Sequence, residues 1–595
     1  MLLQKAARPT ELLFFCPSIA TNHLVTVNKP TPAIVSQSAV RRLPLYALLL
    51  MCLAYVMAGF VGRNAWKTED IATLGYIADL AQGQAAWNSP SALGSTTDSL
   101  AFLPYWLGAG MLLLEPWGVA ADFAVRIPYM LLLVIAMVAT WYGTYYLARS
   151  PKAQPVAFAF GGEAKPKDYA RALADGGLLA FISCLGLAQL SHETTPALAQ
   201  LSFSALYFFA IAALPYRRNL SLAAAIIAQF GLTLSGAPAL ALLFGLGSAV
   251  IHYLDRSASA SLTNHNTQHK LQILTLVIST LVAALLAASL NLWRWKVVSP
   301  NSISNELNDF SQLILWFTWP AWPMALWTLW KWRSHLFTRN ISRHLAWPSF
   351  IVGVILLATW ATDSSDRTLL LALPALAPLA AFALPTIRGQ VSALIDWFTL
   401  LFFTGCGIII WVVWFAMLTG IPPQPATNVM RLAPGFNYTV SIMAFLLALV
   451  ASAAWAYLVR WRVGRHRSVI WKSLALPAGG ATLCWVLLMT LWLPLLDYTQ
   501  SYQPLIKQVK EIVNTTECIQ THQLPQDIEA ALRWYGKYDL QKESENSDCK
   551  WMLARSEPHH IAPMNISPQR WQSIQWVKHP ADSKKSLWIL RRNSL

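Results

Sequence analysis

Long apolar runs, separated by short polar stretches, fill the chain from residue 44 to residue 496. Each run is about 17–25 residues long, the length that an α-helix needs to cross a bilayer, and the ten-residue alternation of membrane β-strands is absent. The sequence therefore predicts an α-helical polytopic membrane protein with about 13 transmembrane helices. The predicted spans are residues 44–61, 123–147, 176–190, 197–214, 220–235, 237–254, 271–291, 311–330, 345–361, 368–385, 391–418, 438–459 and 473–496.

Residues 100–115 are apolar but form a run of only about sixteen, which is short for a span. Counting them as a span would also move the basic loop at residues 149–171 to the other side of the membrane. We therefore expect a juxtamembrane or re-entrant helix here. It belongs to a loop, residues 62–121, on the outer face of the transmembrane domain (residues 41–496).

Polar segments flank the apolar region at both ends. Residues 1–40 lack periodicity and predict a disordered cytoplasmic tail. Residues 497–595 are long enough for one small soluble domain, and their pattern predicts two amphipathic helices, 502–513 and 526–535, and strands at 550–554, 573–577 and 586–590, hence a small α/β layer. If Cys518 and Cys549 face each other there, a disulfide would stabilise this domain by about 3–4 kcal/mol and would require an oxidising compartment.

The distribution of charge orients the chain. The protein is 55% hydrophobic and 12% charged, with a net charge of +16, of which residues 497–595 carry only +2. The remaining positive charge falls in alternate loops and before the first span, at Arg41 and Arg42, as the positive-inside rule requires of cytoplasmic segments. The C-terminal domain is then predicted to be periplasmic in a bacterial inner membrane. The same placement argues against nucleic-acid binding.

An acidic pair, Glu69 and Asp70, follows the first span where the chain leaves the bilayer. A carboxylate partly buried at that level would have a raised pKa and could act as a general base. Alternatively, the pair only stabilises the N-terminus of the next helix, where acidic side chains are common.

Two other outer loops carry ionisable residues. His192 and Glu193 join two short spans and could form an acid–base or metal pair, or simply a polar turn that caps the next helix. Asp363, Asp366 and Arg367 precede the span at 368–385. Arg367 could hold a phosphate through charge-assisted hydrogen bonds, or act as an interfacial anchor or the partner of Asp363. Metal-ligand spacings such as CxxC or HExxH are absent from the sequence.

Taken in order, the motifs of residues 44–496 resemble those of the GT-C superfamily of membrane glycosyltransferases, in its bacterial aminoarabinose-transferase-like branch related to protein O-mannosyltransferases. The resemblance rests on Trp66, Glu69-Asp70, Gly83, Trp87, Pro90, Gly94, Leu103-Pro104-Tyr105-Trp106, Val125-Arg126-Ile127-Pro128, Trp319-Pro320, and Arg367 followed by Leu373-Pro374-Ala375-Leu376-Ala377-Pro378-Leu379.

The resemblance implies an inverting glycosyltransferase that uses a polyprenyl-phosphate-linked sugar as donor. Glu69, Asp70 and Glu193 are then the candidate catalytic carboxylates, with the base undecided between the first two, and Arg367 is the candidate phosphate clamp. The other substrate-binding candidates are Arg126, Asp98, Tyr105, Trp106 and His192. The expected partners are the lipid-linked donor, membrane lipids and an acceptor, which could be lipid A, a glycan or a protein. The sequence leaves open which acceptor is used and whether a divalent metal is required.

One departure bears on the donor. Related transferases carry Lys-Pro-Pro before the Tyr-Trp pair, whereas residues 97–102 contain no lysine. Either Arg367, Arg126 or Lys67 replaces that lysine, or the donor is held differently. The alternative functions are a transporter or lipid-linked-sugar flippase, and a structural assembly subunit. A transporter usually has midplane charges or internal repeats, and we find neither a clear repeat nor a midplane charge pair.

Overall fold

A computed structural model of the protein describes residues 31–91, 101–114, 118–255, 263–293, 303–336, 341–362, 365–387, 389–463, 469–514, 517–543, 549–555, 566–567, 569–582 and 585–593. Residues 31–595 form one compact unit. The positions of Asp98 and Asp363 and the side chain of Lys67 lie outside the described part, so the predictions made for them stay predictions.

Helices make up the chain from residue 45 to residue 500. They are α1 Leu45–Phe60, α2 Lys67–Ala81, α3 Leu103–Leu113, α4 Ala121–Ala124, α5 Ile127–Ala148, α6 Pro166–Ser183, α7 Leu187–Leu190, α8 Pro196–Ala213, α9 Arg218–Leu234, α10 Pro238–Leu254, α11 Thr263–Ser289, α12 Ile303–Phe317, α13 Ala321–Lys331, α14 Arg333–Leu336, α15 Arg343–Ala361, α16 Ser365–Leu370, α17 Leu373–Ala381, α18 Gly389–Thr419, α19 Pro423–Leu432, α20 Ile442–Val463, α21 Lys472–Leu491 and α22 Leu493–Gln500.

The long helices confirm a multi-pass membrane protein. Among the described residues, seven helices are long and apolar enough to cross a bilayer, and four shorter apolar helices accompany them. The start of α5 lies beside the end of α1, because Arg126 donates to the carbonyls of Phe60 and Arg63. We call the end where α1 finishes and α5 and α8 begin the site end. The opposite end carries Arg149, Arg217 and Lys331, and we call it the basic end.

Three predicted spans are interrupted at the site end. Residues 176–190 divide into α6 and α7, residues 311–330 into α12 and α13, and residues 368–385 into α16 and α17. Pro320 and Pro374 lie at two of these breaks, where proline removes a helical N–H donor. The freed backbone finds other partners, since the N–H groups of Leu185 and Gly186 donate to the carbonyls of Trp319 and Phe317. Broken helices of this kind place loops and polar side chains inside the bundle.

The segment 31–40 is ordered, so the predicted disordered tail is wrong for these residues. Ala33 and Val35 are buried against the loop after α5, and Val156 N–H and Ala164 N–H donate to their respective carbonyls. Alternation of small apolar and polar side chains explains how such a short extended stretch finds a surface to pack on. The predicted domain boundary at residue 40 therefore falls inside a packed region.

Helix α3 corresponds to the apolar run at 100–115. With 11 residues it extends about 16 Å, which is too short to cross a bilayer. It packs against α2, where Tyr105 stacks on Tyr76 with ring centroids 4.7 Å apart, and against α5, where the hydroxyl of Tyr129 donates to the carbonyl of Pro104.

The chain after α22 forms the predicted small α/β domain. Its elements are α23 Gln503–Lys510, β1 Ile519–His522, α24 Gln526–Ala531, a π-helical turn at Leu532–Gly536, β2 Leu540–Lys542, β3 Trp551–Arg555, β4 Trp571–Lys578 and β5 Ser586–Arg592. The strand order is β2-β1-β3-β5-β4, with β1 parallel to both neighbours and β5 antiparallel to both of its own. A disulfide joins Cys518 and Cys549, whose Cα atoms are 5.2 Å apart at the starts of β1 and β3.

Candidate active site

Helix α2 carries the acidic pair in its first turn. Trp66 is the N-cap residue, and its backbone N–H donates to Oδ2 of Asp70 at 3.1 Å. Carboxylates at this position also interact favourably with the partial positive charge of the helix N-terminus. The capping interpretation therefore describes Asp70 well, whereas the Glu69 side chain points to a different partner.

Asp70 is completely buried and both of its carboxylate oxygens are occupied. Oδ2 accepts from Trp66 N–H and from the guanidinium of Arg63 at 2.9 Å. Oδ1 accepts from the N–H of Thr194 at 2.9 Å and from the hydroxyl of the same residue. A carboxylate offers about four acceptor positions, so these four donors leave none for a further ligand. Asp70 thus ties α2 to the segment before it and to the loop that follows α7.

Two buried arginines lie behind Asp70. Arg63 also donates to the carbonyl of His192 at 2.9 Å, and its guanidinium lies 4.8 Å from the ring centre of Trp66. Arg126 is 2% exposed and donates to the carbonyls of Phe60 and Arg63. These contacts fasten the end of α1 to the start of α5, and Arg126 is thereby placed in the packing of the bundle.

Glu69, Arg367 and Glu193 form a second charged group, which reaches solvent at Glu69. Glu69 has half of its side chain exposed and pairs with Nη1 of Arg367. Nη2 of Arg367 lies 3.0 Å from the carboxylate of Glu193, which is completely buried. Burial lowers the pKa of Arg367, although an arginine stays protonated at any physiological pH. One guanidinium therefore joins two carboxylates that come from separate parts of the chain.

Glu193 and Arg367 owe their positions to breaks in the helices. The loop Ser191–Thr195 lies between α7 and α8, where Pro196 begins the next helix and fixes the loop's end. Arg367 lies on the short helix α16, which a break at residues 371–372 separates from α17. The N–H of Arg367 donates to its neighbour Asp366 at 2.8 Å, so that the acidic residue caps the helix.

His192 is part of the packing between this loop and α1. Its Nε2 lies 3.0 Å from the carbonyl of Tyr55, and its Nδ1 lies within hydrogen-bond distance of the carbonyl of Ala188. A Cβ on Gly59 would lie 2.2 Å from the imidazole ring, so only glycine lets α1 approach this closely. The ring joins α1 to α7, and its predicted role towards substrate remains a prediction.

Tyr105 and Trp106 lie on α3, beside α2. Tyr105 is buried against Tyr76, while Nε1 of Trp106 donates to the carbonyl of Trp87 at 2.9 Å. Trp87 itself is 43% exposed. These aromatic residues support α2 and the loop after it.

The architecture was compared with solved structures. Two crystal structures of ArnT from Cupriavidus metallidurans are similar to this chain: the apo state, with a TM-score of 0.56 and 12% identity, and the state bound to undecaprenyl phosphate, with a TM-score of 0.55 and 13% identity. In each case 92% of this chain and 97% of the other are covered. The chain has the fold of ArnT.

The similarity to ArnT confirms the predicted fold class, a polytopic α-helical membrane protein with a small α/β domain at its C-terminus. The similarity concerns the fold, because the identity is low. No protein-family model matches the sequence, and no curated protein is significantly similar to it. The reaction is therefore inferred from the side chains of the site and not from the ArnT fold alone.

Sequence reasoning missed Arg63, Thr194 and Asp497. Asp497 accepts from the indole N–H of Trp66 at 2.6 Å and from the N–H of Asn64 at 3.1 Å. Burial raises the pKa of Asp497, while these two hydrogen bonds oppose the shift. A signal existed for Arg63, because an arginine at the predicted outer end of a span runs against the positive-inside rule.

Within the ranges that the structure describes, there is no group of three or more His, Cys, Asp or Glu side chains placed to hold a metal ion.

Proposed function

We propose that the protein is a membrane glycosyltransferase that moves a sugar from a polyprenyl-phosphate donor to an acceptor hydroxyl at the site end of the bundle. The observation that carries the proposal is the Glu69–Arg367–Glu193 group, which combines an accessible carboxylate with a cationic fork. The ArnT fold supports it, and one of the two ArnT crystal structures contains undecaprenyl phosphate.

Glu69 is the general base in this proposal. A base must reach the proton that it removes within hydrogen-bond distance. Glu69 is half exposed, whereas Asp70 is buried and has both oxygens occupied by protein donors. Glu69 accepts the proton of the acceptor hydroxyl while the hydroxyl oxygen attacks the anomeric carbon of the donor sugar. The bond from that carbon to the phosphate oxygen breaks at the same time, the phosphate keeps the electron pair, and the configuration inverts.

Arg367 binds the donor phosphate and stabilises the charge that grows on it as it leaves. The Nε of Arg367 is buried and, among the described residues, has no hydrogen-bond partner. A phosphate oxygen would satisfy this donor, and Glu193 would keep the guanidinium oriented through Nη2. Arg367 would then take the place of the lysine that residues 97–102 lack.

An apolar groove lies between α12 and the break before α7. It has a volume of about 490 Å³ and is lined by Leu185, Gly186, Asp309, Gln312, Leu313, Trp316 and Phe317. Leu185 and Gly186 directly precede α7 in the chain, and the loop that carries Glu193 follows α7. A groove of this chemistry suits the first prenyl units of a lipid donor, whose apolar surface gains about 25 cal/mol per Å² on leaving water.

We further propose that the basic end faces the cytoplasm and that the site end, with the C-terminal domain, faces the periplasm of a bacterial inner membrane. The positive-inside rule supports this orientation. An external disulfide-bonded domain agrees with it, since disulfides persist in oxidising compartments.

The proposal is tested by profiling glycans and glycolipids in cells that lack the protein and are complemented with wild type, Glu69→Gln or Arg367→Gln. Glu511→Gln serves as a matched control, because Glu511 is exposed on the C-terminal domain. Free polyprenyl phosphate is measured alongside, since transfer releases it and flipping does not. A parallel culture with a chelator shows whether transfer requires a divalent metal.

Loss of one sugar product in the deletion strain, restored by wild type and Glu511→Gln but by neither site variant, would support transfer and name the acceptor. Full restoration by Glu69→Gln would refute the assignment of the base. Lost product without any change in released polyprenyl phosphate would favour the flippase, and no lost product would favour the assembly subunit.

A further inference from the structure

The C-terminal domain grips α2 along one face. The hydroxyl of Thr68 donates to Asp527 at 3.2 Å, and the amide of Gln526 donates to the hydroxyl of Tyr76 at 2.8 Å. One turn further, Arg533 pairs with Asp79, which is 2% exposed. These contacts occur at both ends of α2 and in its middle.

The same domain also holds the segment that enters α2. The hydroxyl of Tyr535 accepts the N–H of Ala65 at 2.9 Å. Trp66 forms an isolated antiparallel bridge with Ser501, and Asp497 accepts its indole N–H. The backbone just before the first turn of α2 is therefore fixed by residues that follow the last span.

The two helices α2 and α24 approach closely at Gly75. A Cβ placed there would lie 2.9 Å from the Cβ of Ala530 on α24, a distance at which one helix must move. Ala530 is a short side chain and cannot swing away. Two small residues thus set the spacing between α2 and the C-terminal domain.

The Glu69 side chain is half exposed, so protein contacts surround only part of it. Its position therefore depends on how firmly the C-terminal domain holds α2. Arg367 holds its carboxylate from one side, while its backbone position is set by α2. The opposite face of α2 rests on α3 at Ile77, where a Cβ on Gly108 would lie 2.4 Å from the Ile77 side chain. Helix α2 is therefore clamped between α3 and α24, with Glu69 at its tip.

We propose that the C-terminal domain is the positioning element for Glu69, and that Ala530, Arg533 and Tyr535 are its positioning residues. The inference rests on the proposed function, since it concerns the carboxylate assigned there as base. Misplacing a reacting group by about 1 Å can cost about 10²-fold in rate, so a shift of a few tenths of an ångström in α2 lowers turnover by about tenfold.

A size swap tests the proposal. Gly75→Ala forces α2 away from α24, and the double variant Gly75→Ala/Ala530→Gly restores the space. Gly353→Ala, in α15, is the matched control, because a Cβ there meets nothing within 4 Å. Tyr535→Phe removes only the hydroxyl that accepts the N–H of Ala65 and serves as a second, smaller perturbation. Sugar transfer by each variant is measured in complemented cells. Thermal unfolding and amide hydrogen exchange of residues 67–81 are measured on each purified protein.

The expected result is about tenfold slower transfer and faster exchange in α2 for Gly75→Ala, recovery of both in the double variant, and unfolding midpoints within about 2 °C of wild type. Tyr535→Phe is expected to slow transfer severalfold. Unchanged transfer in Gly75→Ala despite loosened α2, or loss of transfer in proportion to the folded fraction alone, would overturn the inference and leave the proposed function standing. If wild type transfers no sugar, the proposed function fails. Whatever the transfer result, unchanged hydrogen exchange of residues 67–81 in Gly75→Ala would refute the claim that α24 holds α2.

Discussion

Replacing Asp70 by asparagine tests whether the two neighbouring carboxylates have separate roles. The change keeps the size of the side chain but removes the negative charge that lies 2.9 Å from the guanidinium of Arg63. Both side chains are fully buried, so water cannot replace the lost partner. The new amide group would also face one of the N–H donors, from Trp66 or Thr194, that now point to a carboxylate oxygen.

The expected cost is large. Breaking a buried ion pair by removing one partner destabilises proteins by about 3–5 kcal/mol. Glu69→Gln should behave differently, because a pair with a half-exposed carboxylate contributes only about 0–1 kcal/mol. Loss of a general base, however, lowers the rate by about 10²–10⁴-fold. We therefore expect Asp70→Asn to be unstable and Glu69→Gln to be stable but inactive.

The assay combines unfolding in detergent, followed by tryptophan fluorescence, with sugar transfer per folded molecule. A wild-type unfolding midpoint for Asp70→Asn would refute the structural role of the buried pair. Normal stability with abolished transfer in that variant, together with substantial transfer by Glu69→Gln, would reverse the assignment and make Asp70 the base.

Three further outcomes are expected. Arg367→Lys keeps the charge but loses the two-pronged donor, so transfer should fall by about 10²-fold while Arg431→Lys, on an exposed site, leaves it unchanged; equal transfer rates in both variants would contradict the clamp. Burial lowers the pKa of His579 below its ordinary 6.5, so as the pH falls the unfolded chain binds a proton before the folded chain does. The stability that the neutral His579 contributes is therefore complete above pH 6.5 and is lost as the pH falls below it. Thermal unfolding measured between pH 5 and 8 should show a weaker pH dependence for His579→Gln. Replacing Cys518 and Cys549 by serine should cost about 3–4 kcal/mol of unfolding free energy, as measured by denaturant titration against the oxidised protein, and reactive thiols at both positions in the native protein would argue against the bridge.

The apolar pattern predicted the course of the helices well, because crossing a bilayer imposes a length and composition that are visible in single runs. It could not predict where α6, α12 and α16 would end, since a broken helix and a continuous one have the same mean hydropathy. The order of the segment 31–40 also escaped prediction. Its few apolar side chains, such as Val35, are buried by a distant loop rather than by any local periodic element.

The site was predictable in part. Glu69, Glu193 and Arg367 were singled out from their loops and from the resemblance, and the structure brings these three together. The separation of Glu69 from Asp70 could not be predicted. Adjacent residues on a helix point about 100° apart, and Thr194 at Asp70 and Arg367 at Glu69 come from more than a hundred positions away. The contacts of the C-terminal domain with α2 were invisible for the same reason.

The grip on α2 has a consequence for how the protein is made. Arg533 and Asp79 are separated by 454 residues, and Trp66 and Asp497 by 431. Because a ribosome makes the chain from its N-terminus, α2 emerges early and its clamp emerges only after the last span. Chains that stop before residue 497 are expected to insert as membrane bundles that contain Glu69, Glu193 and Arg367 but lack the domain that positions α2. The site would thereby stay inactive during synthesis, until the whole bundle is inserted and the C-terminal domain has folded onto α2.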